Sequence, residues 1–231
     1  MFLTRTGLII LTATFAHAAF AGVAFADHAR EYNFTVLRNG NPIGYHRVTL
    51  NPEGDRLEVE AKTELTLKWG PITIFRFDHE RREVWEGTQL LDLASKTNDN
   101  GKNYEIAIKP DGEGYIRTVN GRIDKFDDST KVLSLRDKST LKNGNFISPV
   151  EDKIFSIDFE YVGKDNLWIG DEEADVEYYK ITGEIERQLW YDALGHVVKV
   201  QFKRLGSDIQ YILDEGVASL PKALPQTFNA K

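Results

Sequence analysis

The stretch Phe75-Arg76-Phe77-Asp78-His79-Glu80-Arg81-Arg82-Glu83-Val84-Trp85 holds the residues best placed for chemistry. In an unbroken strand, side chains two apart share a face. Phe75, Phe77, His79, Arg81, Glu83 and Trp85 then fall together. That face is apolar at its ends and charged in its middle. In a hydrophobic concavity, His79, Arg81 and Glu83 would orient a ligand headgroup while Leu65, Leu67, Phe75 and Phe77 cover its apolar part. Each buried CH₂ of such a ligand contributes about 0.8 kcal/mol. A bulge near His79 would instead reverse the phase and turn the charges to water.

Other chemistry finds little footing. The chain has no cysteine, which removes disulfides, thiol catalysis and Cys-ligated metals. His28, His46, His79 and His196 show no metal-ligand spacing. Thr97-Asn98-Asp99-Asn100-Gly101 has the look of a calcium loop, but the first and twelfth positions would be Lys96 and Ala107. Ser139-Thr140-Leu141-Lys142 matches Ser-x-x-Lys without its companion motifs. No Gly-x-Ser-x-Gly and no glycine-rich phosphate loop occurs. Thirty-six acidic residues offer many carboxylate pairs, so no single pair stands out. No catalytic residue, metal or cofactor is assigned.

The elements that would position these residues are strands. Leu57 to Trp69 alternates for thirteen residues, with Leu57, Val59, Ala61, Thr63, Leu65, Leu67 and Trp69 on one face. Such a strand spans about 43 Å and is dry on one side. Tyr32–Leu37 and Ile43–Leu50 flank Asn39-Gly40. Asn100-Gly101 and Asn120-Gly121 also lie between strand-like runs, and all three pairs suit hairpin turns. Asn143-Gly144 reads as a loop turn. Further alternation covers Phe155–Tyr161, a long run from Val176 to Tyr191, Val198–Phe202 and Ile209–Leu213. Trp69, Trp85, Trp168 and Trp190 fall near strand ends, where they would rim a mouth or seal a core. Asp127 to Asp152 is irregular and has room for a short helix. No strand–helix alternation appears, which argues against a parallel α/β sheet. The expectation is an all-β fold with little helix. Ten or so long strands would form one strongly curved antiparallel sheet, as a half-barrel or open barrel.

The first 26 residues read differently. Arg5 precedes the apolar run Gly7–Phe15, and Ala24-Phe25-Ala26 follows as a cleavage site, the layout of a secretory signal peptide. A membrane anchor is the rival reading, but Thr12, Thr14 and His17 interrupt the run. Cleavage near Ala26 would leave one β-rich domain from 27 to 231, with a loose tail from about 218. The formal charge is −7, from 29 Lys+Arg and 36 Asp+Glu. Without Arg5 it becomes −8. No basic run serves nucleic acid, and no second apolar run would span a membrane. The expected location is periplasmic or secreted.

Several segments together resemble a family of exported bacterial proteins of unknown function. They are Asn39-Gly40-Asn41-Pro42-Ile43-Gly44-Tyr45-His46, Glu83-Val84-Trp85-Glu86-Gly87, Tyr179-Lys180-Ile181-Thr182-Gly183 and Leu189-Trp190-Tyr191-Asp192-Ala193-Leu194-Gly195. The resemblance runs from about Tyr32 to Leu213 and rests on turns and core positions. It implies a fold, and it supplies no catalytic residues. Asp127–Asp152 departs from the family pattern. More loosely, the long amphipathic strands resemble the curled half-barrels of periplasmic lipoprotein carriers.

The first expectation is a non-enzymatic periplasmic protein that holds a lipid or other apolar ligand on its concave face. The alternatives are an envelope scaffold that binds a protein partner through an exposed sheet edge, and a hydrolase built on His46, His79 or His196 with carboxylates.

Overall fold

The computed structural model describes residues 29–112 and 114–214. The leader, its cleavage site, His28 and the tail from 218 lie outside the described residues.

The first half of the barrel is an antiparallel meander. It comprises Arg30–Arg38 (β1), Asn41–Glu53 (β2), Arg56–Trp69 (β3), Ile72–Glu86 (β4), Gln89–Asp99 (β5), Lys102–Asp111 (β6), Gly114–Val119 (β7) and Arg122–Phe126 (β8). The return half comprises Thr130–Val132 (β9), Gly144–Ile147 (β10), Ile154–Ile169 (β11), Glu172–Gly183 (β12), Arg187–Tyr191 (β13), Val197–Arg204 (β14) and Ser207–Leu213 (β15). One 3₁₀ turn, Lys138–Thr140, interrupts the irregular stretch between β9 and β10.

All fifteen strands form one sheet, in the order β8-β7-β6-β5-β4-β3-β2-β1-β15-β14-β13-β12-β11-β10-β9. The sheet curls into a barrel that is open at one seam, as the alternation predicts. The first and last strands meet in its middle, with Phe34 opposite Leu213 and Arg38 opposite Ile209. The edges are therefore β8 and β9, which follow each other in sequence. One feature differs from the expected antiparallel order: β9 and β10 pair in parallel. The run from Val176 also breaks, because Glu184–Glu186 turns the chain between β12 and β13.

Among the described residues no backbone ladder closes the seam between β8 and β9. Arg117, 4% exposed, donates to Asp124 at 2.8 Å and to Asp152 at 2.9 Å. Arg122 reaches both carboxylates as well, at 2.6 Å from Asp152. These ion pairs tie the loop between β10 and β11 to β7 and β8. A desolvated, shared pair of this kind is costly to break on one side only.

The turns follow their chemistry. Asn39, Asn100 and Asn120 have φ near +50°, each followed by a glycine with positive φ. These are the type I′ hairpins expected of Asn-Gly. Asn143-Gly144 instead leads into β10 and makes no hairpin. The turn between β14 and β15 departs from the rule. Leu205 takes φ +49° there and is 96% exposed. A leucine in the left-handed region carries about 1–2 kcal/mol of strain that asparagine largely avoids. Leu205→Asn is expected to raise unfolding stability by about 1 kcal/mol, read as a higher midpoint in chemical denaturation.

Candidate functional site

β4 runs unbroken from Phe75 through Glu83, so its alternating residues keep one phase and face the lumen. Its register irregularities lie opposite Leu67/Lys68 and at Val84/Trp85, away from His79. Cross-strand pairing sets His46 opposite Thr63, Thr63 opposite His79, His79 opposite Thr97 and Thr97 opposite Tyr104. The result is an inward row of alternating imidazoles and hydroxyls across β2 to β6. His46 Nδ1 shares a hydrogen bond with Thr63 Oγ1 at 2.7 Å. His79 Nδ1 does the same with Thr97 Oγ1 at 2.8 Å. His79 Nε2 is buried without a partner.

Burial, with the Arg81 cation close by, pushes both histidines down to about 3. His46 keeps some accessible surface, but it lies deep in the lumen, so burial governs its titration. Both rings are therefore neutral near pH 7.

Glu83 is fully buried one turn of the pleat further on. Its carboxylate takes Arg81 at 2.8 Å, Trp85 Nε1 at 2.6 Å and Ser134 Oγ at 3.2 Å. Arg136 lies over the Trp85 ring at 4.7 Å. Ser134 and Arg136 belong to the stretch between β9 and β10, which passes through the lumen. Tyr191 donates to Leu135 O at 3.3 Å, and Ser95 donates to Pro149 O at 2.6 Å. Phe146, Ile147 and Ser148 are buried with them. The protein's own chain thus fills most of the concave face.

The residues singled out from the sequence separate into three groups. Glu83 and Trp85 are sealed beneath the inner stretch. His79 sits in the polar row, and Arg81 lies one inward position along, between Ala61 and Ser95, with its charge engaged by Glu83. Leu65 and Phe77 pack with Val36 and Ile209, near half-buried Phe75 and Phe202. Leu67 is half-buried toward the rim. Trp69 and Trp168 are exposed at hairpin ends, whereas Trp85 and Trp190 are buried.

Of these candidates, Phe77 borders the cavity at the barrel mouth. A cavity of about 280 Å³ opens at the barrel end that carries the Asn-Gly turns. Phe77, Tyr104, Val150, Arg187, Phe202 and Arg204 line it, with Asp99, Glu151, Lys153 and Lys203 at its rim. Arg187 lies 3.9 Å above the Phe202 ring and donates to Glu186 O at 2.8 Å. Among the described residues no carboxylate comes within ion-pairing distance of it. Burial lowers its pKa from the ordinary arginine value, because the cation loses solvation there. Arg204 pairs with Asp99 at 3.0 Å across the mouth.

Arg187 and Phe202 were not among the residues singled out from the amino-acid sequence. Their signal was available: Arg187, Leu189 and Tyr191 alternate, which puts a cation on an apolar face. Larger hollows lie on the outer wall over β2 to β6, but they are open and lined by self-neutralising pairs. Lys62 bridges Glu64 and Glu80, each at 3.1 Å, and Lys96 meets Glu105 at 3.3 Å.

His196 belongs elsewhere. It contacts Tyr32 at 3.0 Å, and the Asp192 carboxylate beside it accepts the Leu194 and His196 amides within the β13–β14 turn. The three described histidines, His46, His79 and His196, do not gather with carboxylates into one cleft. No group of three or more metal-ligating side chains occurs among the described residues.

The neutral histidines give a signed pH dependence. The unfolded chain takes up protons below about 6.5, whereas the folded sites resist until about 3. Stability is therefore full above pH 6.5 and falls as pH drops toward 3. Each histidine contributes about 1.4 kcal/mol per pH unit within that window. Urea denaturation at pH 7 and pH 5 is expected to show this loss, and His79→Gln should reduce it by about half. Glu83→Ala, which strands Arg81 in the lumen, should lower stability by about 3–5 kcal/mol in the same assay.

The comparisons with known proteins agree with this architecture. The solved β-barrel-like protein of the domain of unknown function DUF1849 from Brucella abortus superposes with a TM-score of 0.57 at 8% identity. The match covers 80% of this chain and 94% of that one, and it speaks for the fold alone. No match was found among curated proteins. The family model of DUF6134, a domain of unknown function, matches residues 34–214, and the chain belongs to that family.

Proposed function

We propose that the protein is exported through its N-terminal leader to the periplasm and binds a small amphiphilic anion at the mouth of its barrel. The observation that carries this reading is the cavity wall itself, which presents the Arg187 guanidinium with no carboxylate at ion-pairing distance among the described residues. A desolvated guanidinium recruits an anionic oxygen pair with bidentate geometry. The same wall, mainly polar, adds a smaller apolar area from Phe77, Tyr104, Val150 and Phe202 for the rest of the ligand. The volume of about 280 Å³ suits a small molecule or the end of an acyl chain rather than a whole lipid.

This reading keeps the lipid or apolar ligand inferred from the sequence and moves it. His79 and Arg81 stand back from the mouth, and the concave face below is filled by the stretch between β9 and β10. Binding without catalysis is the simplest use of the site. The scaffold alternative would need a free strand edge. The two edges face each other at the seam, where Arg117 and Arg122 tether the adjoining loop.

Protein purified from its native envelope is expected to carry an amphiphilic anion, seen by native mass spectrometry. Fatty acids or alkyl phosphates should raise its melting temperature. Arg187→Leu, which keeps the bulk over Phe202, should lower their affinity by about tenfold or more. Unchanged affinity in that variant would remove the cavity from consideration.

A further inference from the structure

The mouth of the barrel is framed by two tips with an unusual surface. The last residue of β3 paired with β2 is Leu65, and the first residue of β4 paired with β5 is Phe77. Beyond these, and past the bonds between the Arg76 backbone and Asn100, the β3–β4 hairpin continues to the Trp69–Ile72 pair. Four residues of free ribbon project about 13 Å past the sheet. On it, Trp69 is 75% exposed, Ile72 56% and Ile74 54%. The second tip is the β14–β15 turn at the same end, where the strained Leu205 stands fully in solvent. Arg204 links the two sides, pairing with Asp99 and lying 5.9 Å from the Phe75 ring.

The charges around these apolar groups are one-sided. From Thr66 to Arg76 the ribbon carries Lys68 and Arg76 and no acid. From Phe202 to Gly206 the turn carries Lys203 and Arg204 and no acid. Arg76 is met by Asp78 at 2.7 Å, but Lys68 and Lys203 have no ion-pair partner among the described residues. The turns at the opposite end hold Glu53, Asp55, Asp111 and Asp171, of which Asp111 is met by Lys125 at 2.9 Å. The barrel of a chain with net charge −7 thus turns basic, apolar tips outward at one end.

We infer that this end docks on an anionic lipid bilayer. Trp69, Ile72, Ile74 and Leu205 would enter the interfacial region while Lys68 and Lys203 meet lipid phosphates. Exposed aromatic and aliphatic groups ringed by cations suit that boundary. An acidic protein gains from such polarity, because its other end is repelled and its approach is oriented. A strained, exposed leucine is a conformation that stability alone does not favour. The inference goes beyond the cavity reading, since none of Trp69, Ile72, Ile74 or Leu205 lines the cavity.

The test is co-sedimentation of the purified protein with phosphatidylcholine vesicles, with and without phosphatidylglycerol. Binding is expected only with the anionic lipid, with loss at high salt and a blue shift of tryptophan emission that Trp69→Phe removes. The double variant Trp69→Ser/Ile72→Ser, and separately Leu205→Asn, should weaken binding, the double variant by about tenfold. Both sites are solvent-exposed, and circular dichroism confirms folding. Trp168→Ser, at the opposite end, should leave binding unchanged, as should Arg187→Leu, which separates docking from occupancy of the cavity. Absence of vesicle binding at low salt overturns the inference. So does equal binding by the tip variants. Concentration-dependent dimerisation that the double variant abolishes would assign the tips to a second copy and likewise overturn it.

Discussion

A carboxylate with no exposure to water sits in the lumen of this barrel, and the arrangement of the interior follows from it. Glu83 is tolerable there only because Arg81, Trp85 and Ser134 surround it. Two of those partners lie on its own strand. The third comes from the stretch between β9 and β10, fifty-one positions along the chain. An unpaired buried charge costs several kcal/mol, so the stretch is held inside the barrel by the need to complete that shell. Once it is there, Arg136 covers Trp85 and Tyr191 bonds the Leu135 carbonyl. The stretch and its partners thus occupy much of the lumen, and a cavity of about 280 Å³ opens at the mouth.

Closure of the sheet obeys a related constraint. A strand edge inside or beside a barrel leaves backbone groups without partners. Here the terminal strands β1 and β15 are hidden in the middle of the sheet, and the edges are brought together by the short Asp127–Ser129 connection. Arg117, Arg122, Asp124 and Asp152 then do with side chains what a ladder would do with amides. The barrel is a closed object at its ends of chain and an ion-paired one at its seam. The cavity and the two projecting tips lie instead at one open end of the barrel.

Much of the fold was legible because period-two alternation is a direct image of a half-wet sheet. Leu57–Trp69 and Phe75–Trp85 read correctly as long strands, and Asn39, Asn100 and Asn120 read correctly as turns, because positive φ has so few residues that accept it. The inward direction of His79, Arg81 and Glu83 stayed open, since one bulge would have reversed it. Register with β3 and β5 decides it, with Thr63 and Thr97 offering hydroxyls to imidazoles. The parallel β9–β10 pair was not legible, because its three-residue strands are too short to show a period.

The candidate site was legible only at Phe77. Arg187, Phe202, Tyr104 and Val150 are far apart in the chain, and no local pattern joins them. By itself the amino-acid sequence determined an all-β chain, its Asn-Gly turns and the family to which it belongs, because these depend on neighbours in the chain. Tertiary structure alone decided that the concave face is filled from within and that a cation and four apolar walls meet at the mouth. It also decided that the basic, apolar tips share one end. Those outcomes depend on how a curved sheet brings distant residues together, which periodicity along a strand does not encode.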